Sequence, residues 1–541
     1  MTLSNRPPVL GFWDGHDAGA ALVMGGRIDV AISEERLSRK KRASGFPFLA
    51  IAACLKHAGL TPADVADVAT AGRYGRLGHR LLDRVYREGD PARDPLSLSS
   101  RFVRELEVQL AQTPGLRRLE ALGTRAVLIG RLAALGFGHA RLHVIDHHTA
   151  HALTAQAALL GHGVDPRDAD VATMDGYGDG VAARFESPDR RVVTLPSPGA
   201  SLALVYGATT RVLGFGEGDE GKVMGLAAHG DPDRLAPIFR RWTEPGRCSP
   251  TLGGPDERRR LAAEAREDVA AALQRVTEER AVALTAVHLP SRCPLGLSGG
   301  LFANVAVNRA IGRLRETAVV FPHMGDGGLC VGAALAVTGP LPMPLPFLGP
   351  TWPDRELEAA LEGSPHAVSR PADPDAELAA AIALGDVVAR VVGRSEFGPR
   401  ALGHRSILVR ADDRDRLDRL NAALGRDDFM PFAPVRRHGD GSKTMTMLVD
   451  ADAALREHGA GVVHVDGTVR TQLASRDDPE LWSLLERTEA FGLPALVNTS
   501  FNLHGEPIVE SPTDALRTFI AARLDVMRLG PYVVRRVRPA R

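Results

Sequence analysis

The stretch Leu142-His143-Val144-Ile145-Asp146-His147-His148-Thr149-Ala150-His151 sets the arrangement of the rest of the chain. Its first four residues form an apolar run typical of a buried strand, and the Ala- and Leu-rich residues from His151 to Gly161 predict a helix. Residues four apart lie on one face of a helix, so His147 and His151 can bind one metal ion through their ring nitrogens. The alternative is a pair of ordinary polar residues at a strand-to-helix turn, and the pair alone does not decide between the two.

Length and composition limit the possible classes of protein. The chain has 541 residues, which is too long for one hydrophobic core and predicts two or three domains. Lys plus Arg and Asp plus Glu both number 66, so no global basic field points to a nucleic-acid partner. The four cysteines lie far apart, which argues against a disulfide scaffold and fits a reducing cytoplasm. The sequence shows neither an apolar signal core nor an apolar run of membrane-spanning length, so we expect a cytoplasmic protein with no membrane partner.

Residues 8–35 alternate between apolar runs and turns and predict a three-stranded meander. Its first turn, Asp14-Gly15-His16-Asp17-Ala18-Gly19, is small and polar. The same order of strand, acidic glycine turn and strand returns at Asp170–Phe185. Glycine-rich turns expose backbone N–H groups, which suit a phosphate or another anion. Two such halves predict the duplicated α/β fold of actin, Hsp70 and the sugar kinases, in which both turns face a nucleotide.

Further segments supply candidate ligands. Gly296–Gly300 precedes a helix-like stretch, Leu301–Arg315, and a helix N-terminus after glycines can bind a phosphate. Asp326 lies in another glycine-rich loop ahead of Leu329–Val337, where it can complete a His-His-Asp metal set or cap the helix. The charged run Glu34–Arg42 is more typical of a solvated turn than of a binding site.

Residues 339–352 are rich in proline and predict an extended boundary between two domains, 1–345 and 353–541. After this boundary, arginines occur inside segments shaped by glycine and proline, namely Ser395–Ser406, Arg426–Pro434, His464–Arg470 and Asn498–Pro507. Arginine forks bind phosphate and carboxylate groups bidentately. Arginines in such segments are more often ligands than surface residues.

Together these strings resemble the O-carbamoyltransferases of antibiotic and nodulation-factor biosynthesis, such as the nebramycin and cephamycin enzymes. The strings that carry the resemblance are Gly15–Ala21, Glu34–Ser38, His147–Ala152, Gly221–Leu226, Ser395–Ser406, Pro431–Pro434, Asp466–Arg470 and Asn498–Pro507. The resemblance runs from about residue 9 to residue 535. The combination of strings is specific, although the single strings are not.

The resemblance implies two domains with different tasks. The first is an actin-like domain similar to the tRNA threonylcarbamoyl transferase, and the second is an α+β domain similar to threonylcarbamoyl-adenylate synthase. The second domain would make carbamoyl-adenylate from carbamoyl phosphate and ATP, with Mg²⁺ on the triphosphate. The first domain would transfer the carbamoyl group to a hydroxyl of a small-molecule natural product. No nucleic-acid partner is implied, and a homodimer is left open.

The site residues of the family fall on matching positions of this chain. His147, His151 and Asp326 would hold iron(II) or another divalent metal. The catalytic residues would be His16, as general base for the alcohol, Lys41 and Asp175. A nucleotide in the first domain would contact Gly178, Asp179, Lys222, Gly299, Gly300 and Asn304. Carbamoyl phosphate and ATP in the second domain would contact Ser395, Arg400, Arg405, Ser406, Arg426, Arg470, Asn498, Ser500, Asn502 and His504.

The chain departs from the family pattern at three places. Leu424 stands where a lysine is frequent, His504 stands where an arginine is frequent, and Ala228-His229-Gly230 replaces the usual Pro-Tyr-Gly. One cation expected near carbamoyl phosphate is therefore missing.

Two other functions remain open at the level of sequence. One is an enzyme like the tRNA threonylcarbamoyl transferase, although the balanced charge weighs against a tRNA partner. The other is a non-catalytic actin-like ATP-binding module, which would leave the histidine pair and the arginines of the second domain unexplained. The sequence does not identify the acceptor alcohol, and we expect an insertion at residues 73–125 to shape its pocket.

Overall fold

The computed structural model describes residues 7–73, 114–425, 431–459 and 461–537. These residues form an N-terminal part, residues 7–338, and a C-terminal part, residues 354–537, joined by a connecting segment, residues 339–353. Arg426 and most of the insertion expected at residues 73–125 lie outside the described residues.

The described residues of the N-terminal part contain two five-stranded sheets that share one strand order. The first sheet has the order β3-β2-β1-β4-β5 and consists of β1 (Val9–Trp13), β2 (Gly19–Met24), β3 (Arg27–Ser33), β4 (Asp67–Ala71) and β5 (Arg141–Ile145). The second has the order β8-β7-β6-β9-β10 and consists of β6 (Asp170–Gly178), β7 (Val181–Glu186), β8 (Val192–Pro196), β9 (Leu295–Ser298) and β10 (Ala318–Val320). In each sheet an antiparallel meander is followed by two strands parallel to its first strand. The predicted mixed α/β class is confirmed, and the duplication is visible as this repeated order.

The described helices of this part are α1 (Glu34–Ser38), α2 (Phe48–Ala58), α3 (Pro114–Ala134), α4 (His147–Gly161), α5 (Leu202–Val212), α6 (Glu220–Leu226), α7 (Ala236–Trp242), α8 (Pro255–Ala262), α9 (Arg266–His288), α10 (Val305–Gly312) and α11 (Leu329–Thr338). Helices α4 and α11 share one apolar core. A Cβ added to Gly332 of α11 would overlap the carbonyl oxygen of Ala150 in α4. A Cβ on Gly11 of β1 would overlap the carbonyl oxygen of Cys330 in α11. The two helices and β1 therefore pack backbone against backbone.

Two elements differ from the sequence prediction. Strand β6 continues through the first four of the six residues of the predicted acidic turn, which leaves Asp179-Gly180 as the turn, with Asp179 in the left-handed region at φ 55°. Helix α10 begins at Val305 rather than Leu301, because the Asn304 side chain accepts hydrogen bonds from the backbone N–H groups of Ala306 and Val307.

The C-terminal part is built on an eight-stranded mixed sheet with the order β11-β20-β19-β12-β13-β18-β14-β17 among the described residues. Its strands are β11 (Ala367–Ser369), β12 (Val388–Val391), β13 (Arg405–Arg410), β14 (Ala433–Arg436), β17 (Gln472–Leu473), β18 (Leu496–Ser500), β19 (Val526–Leu529) and β20 (Tyr532–Arg535), beside a small pair, β15 (Val449–Asp450) and β16 (Thr468–Val469). Its helices are α12 (Asp354–Leu361), α13 (Pro374–Ala383), α14 (Arg414–Leu424), α15 (Ala453–His458), α16 (Pro479–Glu489) and α17 (Pro512–Ala521).

Helices cover both faces of this sheet. Neighbouring residues of one strand enter different cores: Val388 packs with Leu378 of α13, whereas Ala389 belongs to the core that contains Phe519 of α17. This alternation follows from the two-residue period of a strand, and it explains why the strands read as continuous apolar runs.

The connecting segment is extended, as predicted, and hydrogen-bonded to both parts. Toward the N-terminal part, the carbonyl oxygen of Leu348 accepts from the backbone N–H of Ala31 at 2.9 Å. Toward the C-terminal part, Gly349 N–H donates to the carbonyl of Ser395 at 3.0 Å, and Pro346 accepts from Phe397 N–H at 2.6 Å. The segment therefore lies between the two parts as an ordered strand-like element.

The expectation of a solvated turn for the charged run Glu34–Arg42 is wrong for two of its arginines. Arg36 is buried, and its Nη2 donates to the carbonyl oxygens of Glu396 and Gly398 in the C-terminal part. Arg39 donates to the carbonyl oxygens of Pro507 and Ile508, at 2.7 Å each. Backbone acceptors of the C-terminal part replace the water that a run of charges would otherwise need.

No helix within the described residues combines the length and the apolar character that a membrane span requires.

Replacing Gly332 by alanine tests the close contact of α4 and α11. We expect Gly332→Ala to lower stability by about 1–3 kcal/mol, because the added methyl group overlaps the backbone of α4. The matched control is Gly130→Ala in α3, where an added Cβ meets no atom within 4 Å, and it should be neutral or slightly stabilising. Thermal unfolding midpoints measure both, and equal midpoints for the two variants would contradict the packing described.

Candidate active site

Four side chains meet at one end of the N-terminal part. His147 and His151 project from α4, Asp175 lies near the end of β6, and Asp326 precedes α11. One ligand atom from each lies within 4.8 Å of the others. The Nε2 atom of His151 is 3.0 Å from Asp175 Oδ2, and the Nε2 atom of His147 is 3.4 Å from Asp326 Oδ1. The sequence-predicted set His147, His151 and Asp326 is thus brought together, with Asp175 as a fourth member.

Local structure places the two histidines. Asp146 accepts a hydrogen bond from Thr149 N–H at 2.9 Å and caps α4, so the helix begins at His147. Asp179 accepts from the backbone N–H of His147 at 3.0 Å. A Cβ on Gly178 would overlap the His147 ring, so only glycine allows this approach. Gly178 and Asp179 were predicted as nucleotide contacts. In the structure both contact His147, Gly178 beside its ring and Asp179 at its backbone N–H.

The donor set fits a divalent metal. Among the described residues the buried Nε2 atom of His147 has no hydrogen-bond partner. Two imidazole nitrogens with carboxylate oxygens suit first-row transition metals, iron(II) among them. The other ring nitrogen of His151, Nδ1, lies 3.2 Å from Ser298 Oγ, which itself donates to the carbonyl oxygen of Met324. Such an outer hydrogen bond fixes the ring so that Nε2 faces the metal position.

Charge is shared tightly within this cluster. Burial alone would lower the pKa of His147, but Asp326 and Asp175 raise it well above 6.5. Burial alone would raise the pKa of Asp175, but His147 and His151 hold it well below 3.8. Such a cluster exchanges protons for a divalent cation, so its metal affinity rises with pH.

His16 lies at the outer edge of the cluster, on the turn between β1 and β2. Its Nε2 atom is 3.1 Å from Asp326 Oδ2, and its Nδ1 atom is 3.0 Å from Asp17 Oδ2. Asp326 is the main cause that raises the pKa of His16 from 6.5 to about 9. The side chain is 61% exposed, so an acceptor molecule can reach it from solvent.

His148, between the two ligand histidines, is a structural residue. Its two ring nitrogens contact Thr173 Oγ1 at 2.6 Å and the carbonyl oxygen of Val181 at 3.0 Å. Burial lowers the pKa of His148 to about 3, so the ring is neutral. This placement agrees with the helix geometry, which turns His148 away from the ligand face.

A cavity of about 320 Å³ lies between the N-terminal and C-terminal parts. We call it the interface cavity. Eight of the sequence-predicted residues line it: Lys41, Lys222, Arg400, Arg470, Asn498, Ser500, Asn502 and His504. The cations come from both parts of the chain, which makes the cavity suitable for an anion.

Arg400 is the strongest candidate for an anion ligand in the interface cavity. Burial lowers its pKa from 12.5, and within the part of the chain that the structure describes no carboxylate pairs with it. A partly desolvated guanidinium without a counter-ion favours an anionic ligand. Leu424, which stands in place of the family lysine, also lines this cavity, so its wall is apolar at that point.

Three predicted ligands of the C-terminal part have scaffold contacts instead. Arg405 is fully buried, and its guanidinium donates to the carbonyl oxygens of Val392, Gly393 and His404. Ser406 Oγ accepts from Gly403 N–H at 2.8 Å. Ser395 is buried beside Gly349 of the connecting segment. Arg405 begins strand β13, whereas Arg400 lies in the preceding loop. Arg405 is therefore buried in the scaffold, and Arg400 lines the interface cavity.

The remaining nucleotide candidates lie near the cluster and at the start of α10. Gly299 adopts φ 113°, and its N–H donates to the carbonyl oxygen of Met324 at 2.7 Å. A Cβ on Gly300 would lie 3.1 Å from Asp175 Oδ1. The side-chain amide of Asn304 donates to Gln274 Oε1 at 2.8 Å.

A second cavity, of about 290 Å³, adjoins the interface cavity through the shared wall residue Arg470. Its polar residues include Gln274 and Glu278, which were not predicted from the sequence, and His464, which begins the predicted segment His464–Arg470. Burial raises the pKa of Glu278, and its carboxylate accepts from Gln274 Nε2 at 2.7 Å. The only signal in the sequence was the spacing of four between Gln274 and Glu278 on one helix.

The cluster and the interface cavity are neighbours. The loop that carries Lys41 runs beside the turn that carries His16, since Ala18 N–H donates to Ala43 at 2.9 Å and Gly45 N–H donates to Gly15 at 3.3 Å. The structure therefore places a metal-type cluster and a cationic cavity on two sides of one loop.

Comparison with known proteins identifies the class of this site. A family model described as Carbamoyltransferase N-terminus matches residues 9–241, and one described as Carbamoyltransferase C-terminus matches residues 379–536. Nodulation protein NolNO of Sinorhizobium fredii (strain NBRC 101917 / NGR234) is 30% identical, over 96% of this chain and 79% of that protein. The 3'-hydroxymethylcephem-O-carbamoyltransferase of Streptomyces clavuligerus is 28% identical, over 98% of this chain and 99% of that enzyme.

Among solved structures, the activator of the 2-hydroxyisocaproyl-CoA dehydratase from Clostridium difficile with bound ADPNP is 12% identical. The likeness covers 61% of this chain and 94% of that chain at a TM-score of 0.35.

These matches define an enzyme that transfers a group. The chain belongs to the carbamoyltransferase family. The alternative of a non-catalytic ATP-binding module is therefore wrong.

Replacing a ligand histidine tests the metal cluster. We expect His147→Gln to reduce the iron(II) bound per chain at least about tenfold after anaerobic reconstitution, because one of four donors is lost. His139→Gln, at an exposed histidine, is the matched control and should bind metal like the wild type. Elemental analysis measures both, and unchanged metal content in His147→Gln would contradict the assignment.

The raised pKa of His16 predicts a pH dependence of stability in chelator-treated protein. The folded-state pKa of about 9 exceeds the ordinary 6.5, so the His16–Asp326 attraction stabilises the fold fully below about pH 6.5. This contribution is lost as the pH rises through 9, and the unfolding midpoint should fall over that interval. The variant His16→Gln should show a shallower fall, and equal slopes for the two proteins would contradict the prediction.

Proposed function

We propose that the chain is an ATP-dependent O-carbamoyltransferase that makes carbamoyl-adenylate and passes its carbamoyl group to a hydroxyl of a small-molecule natural product. The observation that carries the proposal is the interface cavity, where Lys41 and Lys222 face Arg400 and Arg470 beside the metal-type cluster. Family membership and an O-carbamoyltransferase relative support the reaction class.

The proposed reaction has three steps. Water cleaves carbamoyl phosphate to carbamate and phosphate. A carbamate oxygen then attacks the α-phosphorus of ATP, and the bond to pyrophosphate breaks. The acceptor oxygen attacks the carbamoyl carbon, and the bond from that carbon to the AMP oxygen breaks. The products are the carbamate ester, AMP, pyrophosphate and phosphate.

The interface cavity suits the first two steps. Both substrates are anions, and bringing them together requires cations that offset their mutual repulsion. Arg400, which has no counter-ion among the described residues, would hold one phosphate, and Lys41 and Lys222 would approach from the other part. Mg²⁺ would accompany the triphosphate.

The second cavity suits the nucleoside of ATP or of the adenylate. It has an apolar wall, which includes Val305 and Leu448, and a half-buried carboxylate, Glu278, that can accept hydrogen bonds from ribose hydroxyls. Arg470 lines both cavities, so phosphates in the interface cavity and a nucleoside in the second cavity would be contiguous.

The cluster suits the transfer step. His147, His151, Asp175 and Asp326 would hold the divalent metal. When bound, the metal supplies positive charge for the charge developing on the carbamoyl group and offsets Asp326, which otherwise keeps His16 protonated. His16, exposed at the edge of the cluster, would accept the proton of the acceptor hydroxyl at Nε2 or Nδ1.

Pyrophosphate release from ATP tests the first half of the reaction. With carbamoyl phosphate present, we expect Arg400→Ala to reduce release by about 10²-fold or more, because a positioned cation is lost. Lys40→Ala is the matched control, since Lys40 is exposed beside Lys41 and does not line the cavity. If the wild type releases no pyrophosphate with any divalent metal, the proposed function fails.

A ligand variant tests the division of labour between the two sites. We expect His147→Gln to keep pyrophosphate release within about threefold of the wild type while transfer to an acceptor falls by about 10²-fold or more. Transfer is measured as carbamate ester formed on a panel of hydroxylated acceptors. Loss of both activities together would show that the cluster takes part in adenylate formation.

A further inference from the structure

Most backbone N–H and carbonyl groups of the loop that carries Arg400 form hydrogen bonds within the protein. We call residues 396–405 the Arg400 loop. At its base, Glu396 is buried, and its Oε1 atom accepts hydrogen bonds from the backbone N–H groups of Leu402, His404 and Arg405 at 2.6, 2.9 and 3.1 Å. One carboxylate therefore closes the loop upon itself.

Side chains of the C-terminal part hold the carbonyl oxygens on the later half of this loop. Asn498 Nδ2 donates to Ala401 at 3.2 Å, and Gln472 Nε2 donates to Leu402 at 2.8 Å. Arg390 donates to Gly403 at 2.7 Å. The segment that follows Arg400 is thus fixed from within the C-terminal part.

The earlier half of the loop depends on the N-terminal part. Arg36 is 2% exposed, and its Nη2 atom donates to the carbonyl oxygen of Gly398 at 3.0 Å and to that of Glu396 at 3.4 Å. Gly398 itself adopts φ 144°, and a Cβ there would lie 3.1 Å from the carbonyl oxygen of Pro322. Only Pro399 separates Gly398 from Arg400, so the hydrogen bond from Arg36 to Gly398 fixes the backbone that leads to Arg400.

Arg36 also places a positive charge near the Glu396 carboxylate at the base of the loop. Burial opposes ionisation of Glu396, yet the charges of His404, Arg36 and Arg405 and the backbone N–H groups lower its pKa. One of the cations that favour the ionised carboxylate at the loop base is therefore supplied from the other part of the chain.

We propose that Arg36 is a positioning residue for the anion site: from the N-terminal part, it holds Gly398 and Glu396 so that Arg400 faces the interface cavity. Arg36 does not itself line that cavity among the described residues. The inference rests on the proposed function only in naming the anion as carbamoyl phosphate or ATP. It means that the anion site of the C-terminal part is complete only when the N-terminal part is docked.

The test is a double-variant cycle with inorganic pyrophosphate as the probe, measured by calorimetric titration of the full chain. We expect Arg36→Met to weaken pyrophosphate binding by about 10- to 100-fold, since a small displacement of a positioned group has an effect of that size. Arg36→Lys should recover part of the loss. In an Arg400→Gln background, Arg36→Met should change binding less than twofold, because it acts through Arg400.

The matched control is Arg309→Met. Arg309 also joins the two parts, through Asp450 at 2.5 Å, but it lies away from the Arg400 loop. This variant should bind pyrophosphate like the wild type. If Arg309→Met weakens binding as much as Arg36→Met, or if the losses from Arg36→Met and Arg400→Gln multiply, the positioning role is overturned.

Two further measurements distinguish the positioning role of Arg36 from the proposed carbamoyltransferase function. In the pyrophosphate-release assay, Arg36→Met should raise the KM for carbamoyl phosphate more than it lowers kcat. Arg400-dependent pyrophosphate binding without any release would refute the carbamoylation proposal and leave the positioning role intact. Absence of Arg400-dependent binding in the wild type would overturn the positioning role, and where Arg36→Met does not fold, Arg36→Lys decides by the same cycle.

Discussion

The contact of α4 with α11 at backbone distance is the constraint on which the N-terminal part depends. Gly332 lets α11 approach Ala150 of α4, and Gly11 lets β1 approach α11. Helix α4 carries His147 and His151, and α11 follows the loop with Asp326, so this contact brings these candidate metal donors to one point. A bulkier residue at Gly332 would separate α11 from α4, and one at Gly11 would separate β1 from α11, so either change would displace the candidate metal donors.

A second constraint is the interlocking of the two parts. Arg36 lies in α1 and Arg39 directly follows it. Both guanidinium groups donate hydrogen bonds to backbone carbonyl oxygens of the C-terminal part, which gives each group a fixed geometry. The interface cavity lies in the same region and takes its cations from both sides. Buried cations cost free energy unless acceptors surround them, and here the loops that form the cavity supply the acceptors.

The sequence revealed those features of the site that rest on local structure. His147 and His151 could be paired because they are four residues apart at the start of a predicted helix, and Asp326 could be added because it lies in a glycine-rich loop ahead of another predicted helix. Asp175 was recognised as a site residue, but its place among the ligands needed the register between the two halves. Arg36 was missed, because a charged run is ordinarily solvated and only tertiary packing supplies its partners. Gln274 and Glu278 were missed for the same reason, since their cavity forms only where the C-terminal part covers α9.

The connecting segment has a consequence for how such a two-part enzyme can arise. Its residues 346–349 donate to or accept from Ala31 on one side and Ser395 and Phe397 on the other, so they complete the backbone pairing of both parts. In a gene fusion that only links two independent proteins, the linker is exposed to solvent, and insertions or deletions in it are tolerated. Here the junction is hydrogen-bonded to both parts, so changing its length would displace backbone contacts on both sides. The two parts are therefore expected to evolve as one unit, with variation in length confined to segments away from the seam.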